Sequence, residues 1–164
     1  MENTKQEAIE KLRGLIKDID MAMLTTLDNG VLRSRPMSTQ EMEFDGELWF
    51  FTSRSTHKAE EIERDNRVNV SYAAPGKSTF VSVSGTASLV KDQQKIDEFW
   101  NPSHKLWFPK GKDDPDLVLL KVDVEQAEYW DFPSGTLVHL YSSLKSMVTG
   151  AAPDDSGDSQ KIKL

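Results

Sequence analysis

The sequence predicts a mainly β, α+β fold: a six-stranded antiparallel barrel with isolated helices flanking it. Three observations carry this expectation. Apolar runs of strand length recur at short spacing, several closed by turn signals such as Asp28-Asn29-Gly30, Asp45-Gly46 and Pro75-Gly76. Helical patterns interrupt these runs singly rather than alternating with them, as a parallel α/β sheet would require. No internal repeat and no glycine-rich phosphate loop is present.

Residues 4–18 have the spacing of an amphipathic helix. Thr4 and Glu7 stand in capping-box positions, and Ala8, Ile9, Leu12, Leu15 and Ile16 recur at helical intervals. Met21 to Leu27 is a strand that ends in the Asn-Gly hairpin signal, with Val31 to Met37 as the return strand. Leu48 to Thr52 is rich in aromatics and strand-like. Ser55 is the expected N-cap of a helix over Thr56 to Arg64, with Ala59 and Ile62 facing inward. Val68 to Ala73 is a further strand. Thr79 to Val90 is long enough to wrap a barrel, and Gly85 within it marks a bulge or a close backbone approach.

Asp92 caps a short helix to Trp100, and the irregular stretch Asn101 to Pro115 holds Trp107 and Phe108. Leu117 to Val124 and Ala127 to Trp130 are the last two strands expected. Leu137, Leu140, Tyr141, Leu144, Met147 and Val148 mark a C-terminal helix over 136–149. The expected organisation is one domain over residues 1–150. Residues 151–164, acidic and bearing Gly, Ser and Pro, read as a disordered tail whose removal leaves the fold intact.

The composition, 37% hydrophobic and 29% charged over 164 residues, is that of a soluble globular chain. No apolar run approaches the roughly 20 residues that span a bilayer. The polar, acid-bearing N-terminus does not resemble a leader, so a cytoplasmic location is expected. The absence of cysteine removes disulfides and thiolate chemistry. A net charge of −7 disfavours nucleic acid and anionic membranes as partners, so any bound anion needs a local cationic cluster. His57, His104 and His139 lack metal-ligand spacing, and no metal site is expected.

Two segments supply such a cluster. Thr52-Ser53-Arg54-Ser55-Thr56-His57-Lys58 runs from a strand end into a helix start, where unpaired N–H groups and the helix dipole suit a phosphate. Lys58 lies in the first turn, where the dipole disfavours a cation, and an anion above it would offset that cost. In Arg33-Ser34-Arg35-Pro36-Met37, strand alternation puts Arg33, Arg35 and Met37 on one face, and Pro36 restricts the strand to an edge or bulge. Taken alone, each segment is also what a capped helix or a solvent-facing strand with ordinary salt bridges would show.

Together with Leu48-Trp49-Phe50-Phe51-Thr52-Ser53, Val83-Ser84-Gly85-Thr86-Ala87, Leu106-Trp107-Phe108-Pro109-Lys110-Gly111 and Glu128-Tyr129-Trp130-Asp131, these segments resemble a family. Over residues 20–131 the chain is similar to the FMN-binding split-barrel proteins related to pyridoxamine phosphate oxidase, in their short general-stress-protein branch. The resemblance implies a six-stranded antiparallel split β-barrel, FMN as cofactor, and a homodimer with FMN at the subunit interface. It implies that Lys58 and one of Arg33 and Arg35 hold the FMN phosphate, with His57 standing where the oxidase usually has an arginine. The backbone from Arg35 through Pro36 to Met37 would lie along the flavin ring, and Phe51, Thr52 and Ser53 match the strand end that contacts the cofactor. Trp107 and Phe108 would cover the exposed edge of the flavin, or else pack with their loop against the core. Trp130 matches a tryptophan contributed by the partner subunit.

The chain departs from the oxidase after Trp130. Phe132-Pro133-Ser134-Gly135-Thr136-Leu137 carries none of the arginine and histidine groups that recognise a pyridoxal substrate there. The function implied is an FMN-dependent oxidoreductase without vitamin B6 oxidation and without an assignable substrate or catalytic residue. The alternatives are a flavin-binding stress or sensor protein without turnover, and a split-barrel binder of haem or a deazaflavin.

Overall fold

A computed structural model describes residues 2–40, 44–132 and 158–164. In chain order the elements are α1 (Glu2–Ile16), β1 (Met21–Asp28), β2 (Val31–Ser38), β3 (Glu47–Ser53), α2 (His57–Arg64), β4 (Arg67–Ala74), β5 (Thr79–Val90), α3 (Gln93–Phe99), β6 (Leu117–Asp131) and β7 (Asp158–Lys163). Short 3-10 helices at Pro75–Lys77 and Pro102–Leu106 complete the described residues. No helix among these is long and apolar enough to cross a membrane.

All the strands pair antiparallel, in the order β2-β1-β4-β5-β6-β3, with β7 added to β6. The β1–β2 turn places Asn29 (φ 49°) and Gly30 (φ 83°) in the left-handed region, the geometry that an Asn-Gly hairpin turn supplies. Among the described residues β2 pairs only with β1, so Pro36 occupies an edge strand, the setting in which a strand tolerates proline. The sheet does not close: β2 and β3 are its two ends and share no ladder. The antiparallel split barrel is therefore present, with seven strands among the described residues: the segments expected at 117–124 and 127–130 form one strand, and 158–163 adds another.

The added strand pairs with β6, which is longer than expected. β6 runs unbroken through Leu117–Asp131, where two separate strands were expected. Its register against β5 steps from Ser84↔Gln126 to Gly85↔Val124, leaving Glu125 as the extra residue of a bulge. Gly85 lies at the register step opposite that bulge and makes the close backbone approach that its position suggested. A Cβ there would overlap the Asp123 carbonyl oxygen and lie 3.2 Å from the Val124 Cα. The other edge of β6 is shared: β3 covers residues 117–123 and β7 covers 126–131.

The end of the supposed disordered tail is thus a strand, and this corrects the expectation. β7 takes up the β6 hydrogen bonds that β3 leaves open. Leu164 N–H donates to the Glu125 carbonyl at 2.9 Å, and Ile162 and Leu164 pack against the core. The C-terminal helix expected over 136–149 lies outside the described residues.

Two apolar clusters flank β3, which is why its sequence is a continuous run rather than an alternation. Leu48 and Phe50 face the barrel interior with Leu24, Val70, Val83 and Leu120, where Ile9, Leu12 and Ile16 of α1 close the core. Trp49 and Phe51 face outward, into a smaller cluster built on Ile96 of α3 and Leu119. Asp92 caps α3 as expected, its carboxylate accepting from Gln94 and Lys95 N–H. Two helix starts differ from expectation. α1 begins at Glu2, which places Thr4 inside the helix. Thr56, not Ser55, is the N-cap residue of α2, because the Ser55 hydroxyl donates to Asp116 at 2.7 Å instead.

Removing residues 158–164 should lower stability by about 1–3 kcal/mol, the scale of exposing Ile162 and Leu164 and uncovering the edge of β6. Urea denaturation of full-length and truncated protein measures this. Equal midpoints would show that β7 contributes nothing.

Candidate ligand-binding cleft

The gap between the sheet ends is the candidate site. A cleft of about 290 Å³ lies there, walled by Pro36, Met37 and Ser38 of β2 and by Phe51 and Ser53 of β3. Thr56 and Lys58 at the start of α2 form its polar side. His104, Trp107 and Phe108, carried by the 3-10 helix and the turn after it, form its aromatic side. Of the residues singled out in the sequence, Pro36, Met37, Phe51, Ser53, Lys58 and Trp107 therefore meet in one place. Trp107 is 68% exposed and Phe108 packs in the cluster around Phe51, so the two neighbours divide between rim and wall.

Lys58 is the surplus cation of the cleft. Its ammonium donates to Thr52 Oγ1 at 3.0 Å, and among the described residues no carboxylate lies within ion-pair distance of it. Burial lowers its pKa, the nearby Arg35 guanidinium lowers it further, and Glu61 partly offsets both. Two cations held close enough to repel, beside a helix start without a side-chain cap, form an arrangement that an anion would relieve. The Thr56 hydroxyl leaves that helix end open because it donates to the Ser53 carbonyl.

Glu61 was not legible as a site residue in the sequence. Its side chain is 4% exposed and accepts from Thr26 Oγ1 at 2.5 Å and from Arg35 Nη2 at 2.9 Å, with Arg33 Nη1 at 3.4 Å. Arg35 also donates to Thr26 Oγ1 at 2.6 Å. Arg33 and Arg35 do share a face, as strand alternation required, but that face meets a buried carboxylate. Arg33, with its side chain 52% exposed, is further shared with Asp28 at 3.2 Å. Neither arginine lines the cleft; Arg35 reaches it only through its field on Lys58.

The other two candidates lie elsewhere. The His57 side chain is 91% exposed, turned toward Glu60 at 3.9 Å, and does not line the cleft. Trp130 sits on β6 between Phe80 and Ser159 in register, also away from the cleft of its own chain. His104, which carried no signal beyond its poor metal spacing, is buried in the aromatic wall. Its ring centroid lies 4.9 Å from that of Phe51 and 5.4 Å from that of Trp100, and burial lowers its pKa.

Glu61→Ala should cost about 2–4 kcal/mol, because it strips a buried carboxylate from Arg35 and Thr26. Arg33→Ala, at the exposed end of the same network, should cost under about 1 kcal/mol. Denaturation midpoints compare the two; equal losses would mean that burial of Glu61 does not govern the network.

Comparison with known proteins places this geometry in a family. Residues 7–154 match the family described as pyridoxamine 5'-phosphate oxidase like. The chain is 31% identical over 140 residues to General stress protein 26 of Bacillus subtilis, covering 83% of this chain and 97% of that protein. It is 30% identical over 134 residues to Protein bli-3 of Neurospora crassa, covering 75% of this chain but only 64% of that longer protein. Among solved structures, it superposes with a TM-score of 0.67 on the general stress FMN/FAD binding protein of Xanthomonas citri. That pair is 32% identical, covering 79% of this chain and 92% of the other. By sequence and by fold, the chain belongs to the pyridoxamine 5'-phosphate oxidase like family.

Proposed function

We propose that this chain binds FMN in the cleft at the split of the barrel, as a homodimer, and acts as an oxidoreductase-type flavoprotein. The observation that carries the reading is Lys58: a surplus cation at an uncapped helix start, beside an aromatic wall. One cation suits one terminal phosphate, and Phe51, Trp107 and Phe108 suit a planar heteroaromatic ring. The similarity to a protein described as FMN/FAD binding supports a flavin, and the single cationic end supports FMN over FAD.

The residues fit such a ligand in a definite division of labour. Lys58 and the N–H groups at the start of α2 hold the phosphate, with Arg35 adding charge from behind. The β2 backbone at Pro36 and Met37 and the Phe51 ring orient the ring system. A bound flavin supplies redox chemistry; the protein sets its position and access. At about 290 Å³ the cleft is at the small end of ligand pockets, roughly 300–1,000 Å³, which favours a second copy as its missing wall. Met21, itself in the cleft, and Met23 expose apolar surface beside it, and Trp130 would then reach the site from the partner subunit. Vitamin B6 oxidation is not proposed. A phosphorylated substrate needs a second anion site, and the segment Phe132-Pro133-Ser134-Gly135-Thr136-Leu137 that follows Trp130 and Asp131 carries no arginine, lysine or histidine.

Purified protein should be a homodimer by light scattering and should release FMN, not FAD, on denaturation. Colourless protein that cannot be reconstituted with FMN would sink the flavin reading, and a monomer with tight flavin would sink the shared site.

Lys58→Ala should weaken FMN about tenfold to a hundredfold while leaving riboflavin nearly unchanged. The wild-type preference for FMN should also fall as pH rises, because the ammonium is the binding form. The fall should begin below the ordinary lysine range, since burial and Arg35 lower the Lys58 pKa. Lys58→Arg should flatten that dependence. Fluorescence titrations against both flavins across pH decide this, and equal losses for the two ligands would make Lys58 structural.

A further inference from the structure

We propose that His104 reads the ring of the bound ligand: its Nε2–H donates a hydrogen bond to an acceptor, of carbonyl type, on the heteroaromatic system held in the cleft. This rests on the flavin reading above and adds a polar contact to the aromatic wall.

The argument begins at the start of the 3-10 helix Pro102–Leu106. Asn101 N–H donates to His104 Nδ1 at 2.9 Å, while Asn101 Oδ1 accepts from Ser103 N–H at 3.0 Å. This reciprocal cap commits the Nδ1 lone pair to the backbone, so the neutral ring carries its proton on Nε2. A second proton at Nδ1 would face the Asn101 N–H, so the cap and burial both favour the neutral ring. The contacts with Phe51 and Trp100 hold the imidazole in one orientation. The result is an uncharged donor of fixed direction.

Nε2 has room for an outside partner. Among the described residues it has no protein acceptor, yet no side-chain nitrogen or oxygen is both fully buried and without a partner. It therefore reaches open space, and the open space beside His104 is the cleft and an adjoining hollow that meets it at Ser38, Gln40 and Trp107. Charge separates the roles. Lys58 is the group matched to a phosphate, whereas a neutral N–H among aromatic rings matches a ring carbonyl.

The test uses the full chain as wild type, His104→Phe and His104→Gln, titrated with FMN and with riboflavin. His104→Phe keeps the aromatic packing and should weaken both flavins roughly three- to tenfold, with an upward shift of a flavin carbonyl band in the infrared. His104→Gln, which retains an N–H donor, should recover part of the affinity and move the band back. Independently of any variant, imidazole nitrogen NMR of the wild type should show the Nε2–H tautomer, with the Nε2 resonance shifting on addition of FMN. Unchanged affinity and an unchanged carbonyl band in His104→Phe would overturn the assignment. So would a loss confined to FMN, which would put His104 on the phosphate, or an Nδ1–H tautomer. Wild-type protein that binds neither flavin overturns the flavin reading itself, and this assignment with it.

Discussion

A carboxylate taken out of water must be matched where it lies, and in this protein that constraint fixes the site. Glu61 sits on the inner face of α2 and, among the described residues, is satisfied by groups from β1 and β2: Thr26, Arg35 and, at the exposed end, Arg33. Such a network adds little net stability compared with an apolar packing, but leaving the carboxylate unmatched is costly. The cost acts as a geometric lock between the helix and the β1–β2 hairpin. Lys58 is one turn before Glu61 on the same helix, so the lock also sets where its ammonium stands relative to the β2 wall. The cleft inherits its cationic end from an interaction buried beside it.

The second constraint is the open seam of the barrel. β2 carries a proline and cannot offer a full ladder, and among the described residues β3 pairs only with β6. The seam is filled from outside by the segment that carries His104, Trp107 and Phe108, which packs on the outward residues of β3. β3 therefore has two jobs on its two faces. Leu48 and Phe50 build the barrel core, while Phe51 becomes the shared wall of the outer cluster and the cleft. The same period of two that makes the strand places a core residue and a cleft residue side by side.

Charge is handled in the same economical way. The chain is acidic overall, and the cations in and beside the cleft differ in how they are matched. Arg33 and Arg35 are held by Glu61 and Asp28, and Lys58 is left over. An unmatched, partly buried ammonium is unfavourable in the free protein and favourable with an anion present. Under the proposed function, this difference would let a chain of net charge −7 hold a phosphate.

The sequence by itself determined the local structure and much of the site's membership. The Asn29-Gly30 turn, the Asp92 cap, the tight packing at Gly85 and the edge position of Pro36 each follow from one residue's backbone chemistry, so they were legible without the fold. Lys58 stood out because its position relative to a helix start is itself local. Only the tertiary structure decided the pairings. Glu61 meets Thr26 and Arg35 across 35 and 26 residues, and in the sequence it is one acid among several on an amphipathic helix. β7 looked like a polar tail because its strand character comes from the free edge of β6, not from its own alternation. His104 gave no signal because its meaning lies in the atom it bonds, the Asn101 N–H, and in the rings that surround it. Propensity and capping act over a few residues and can be read along the chain; burial and charge matching act across it, and only the fold makes them visible.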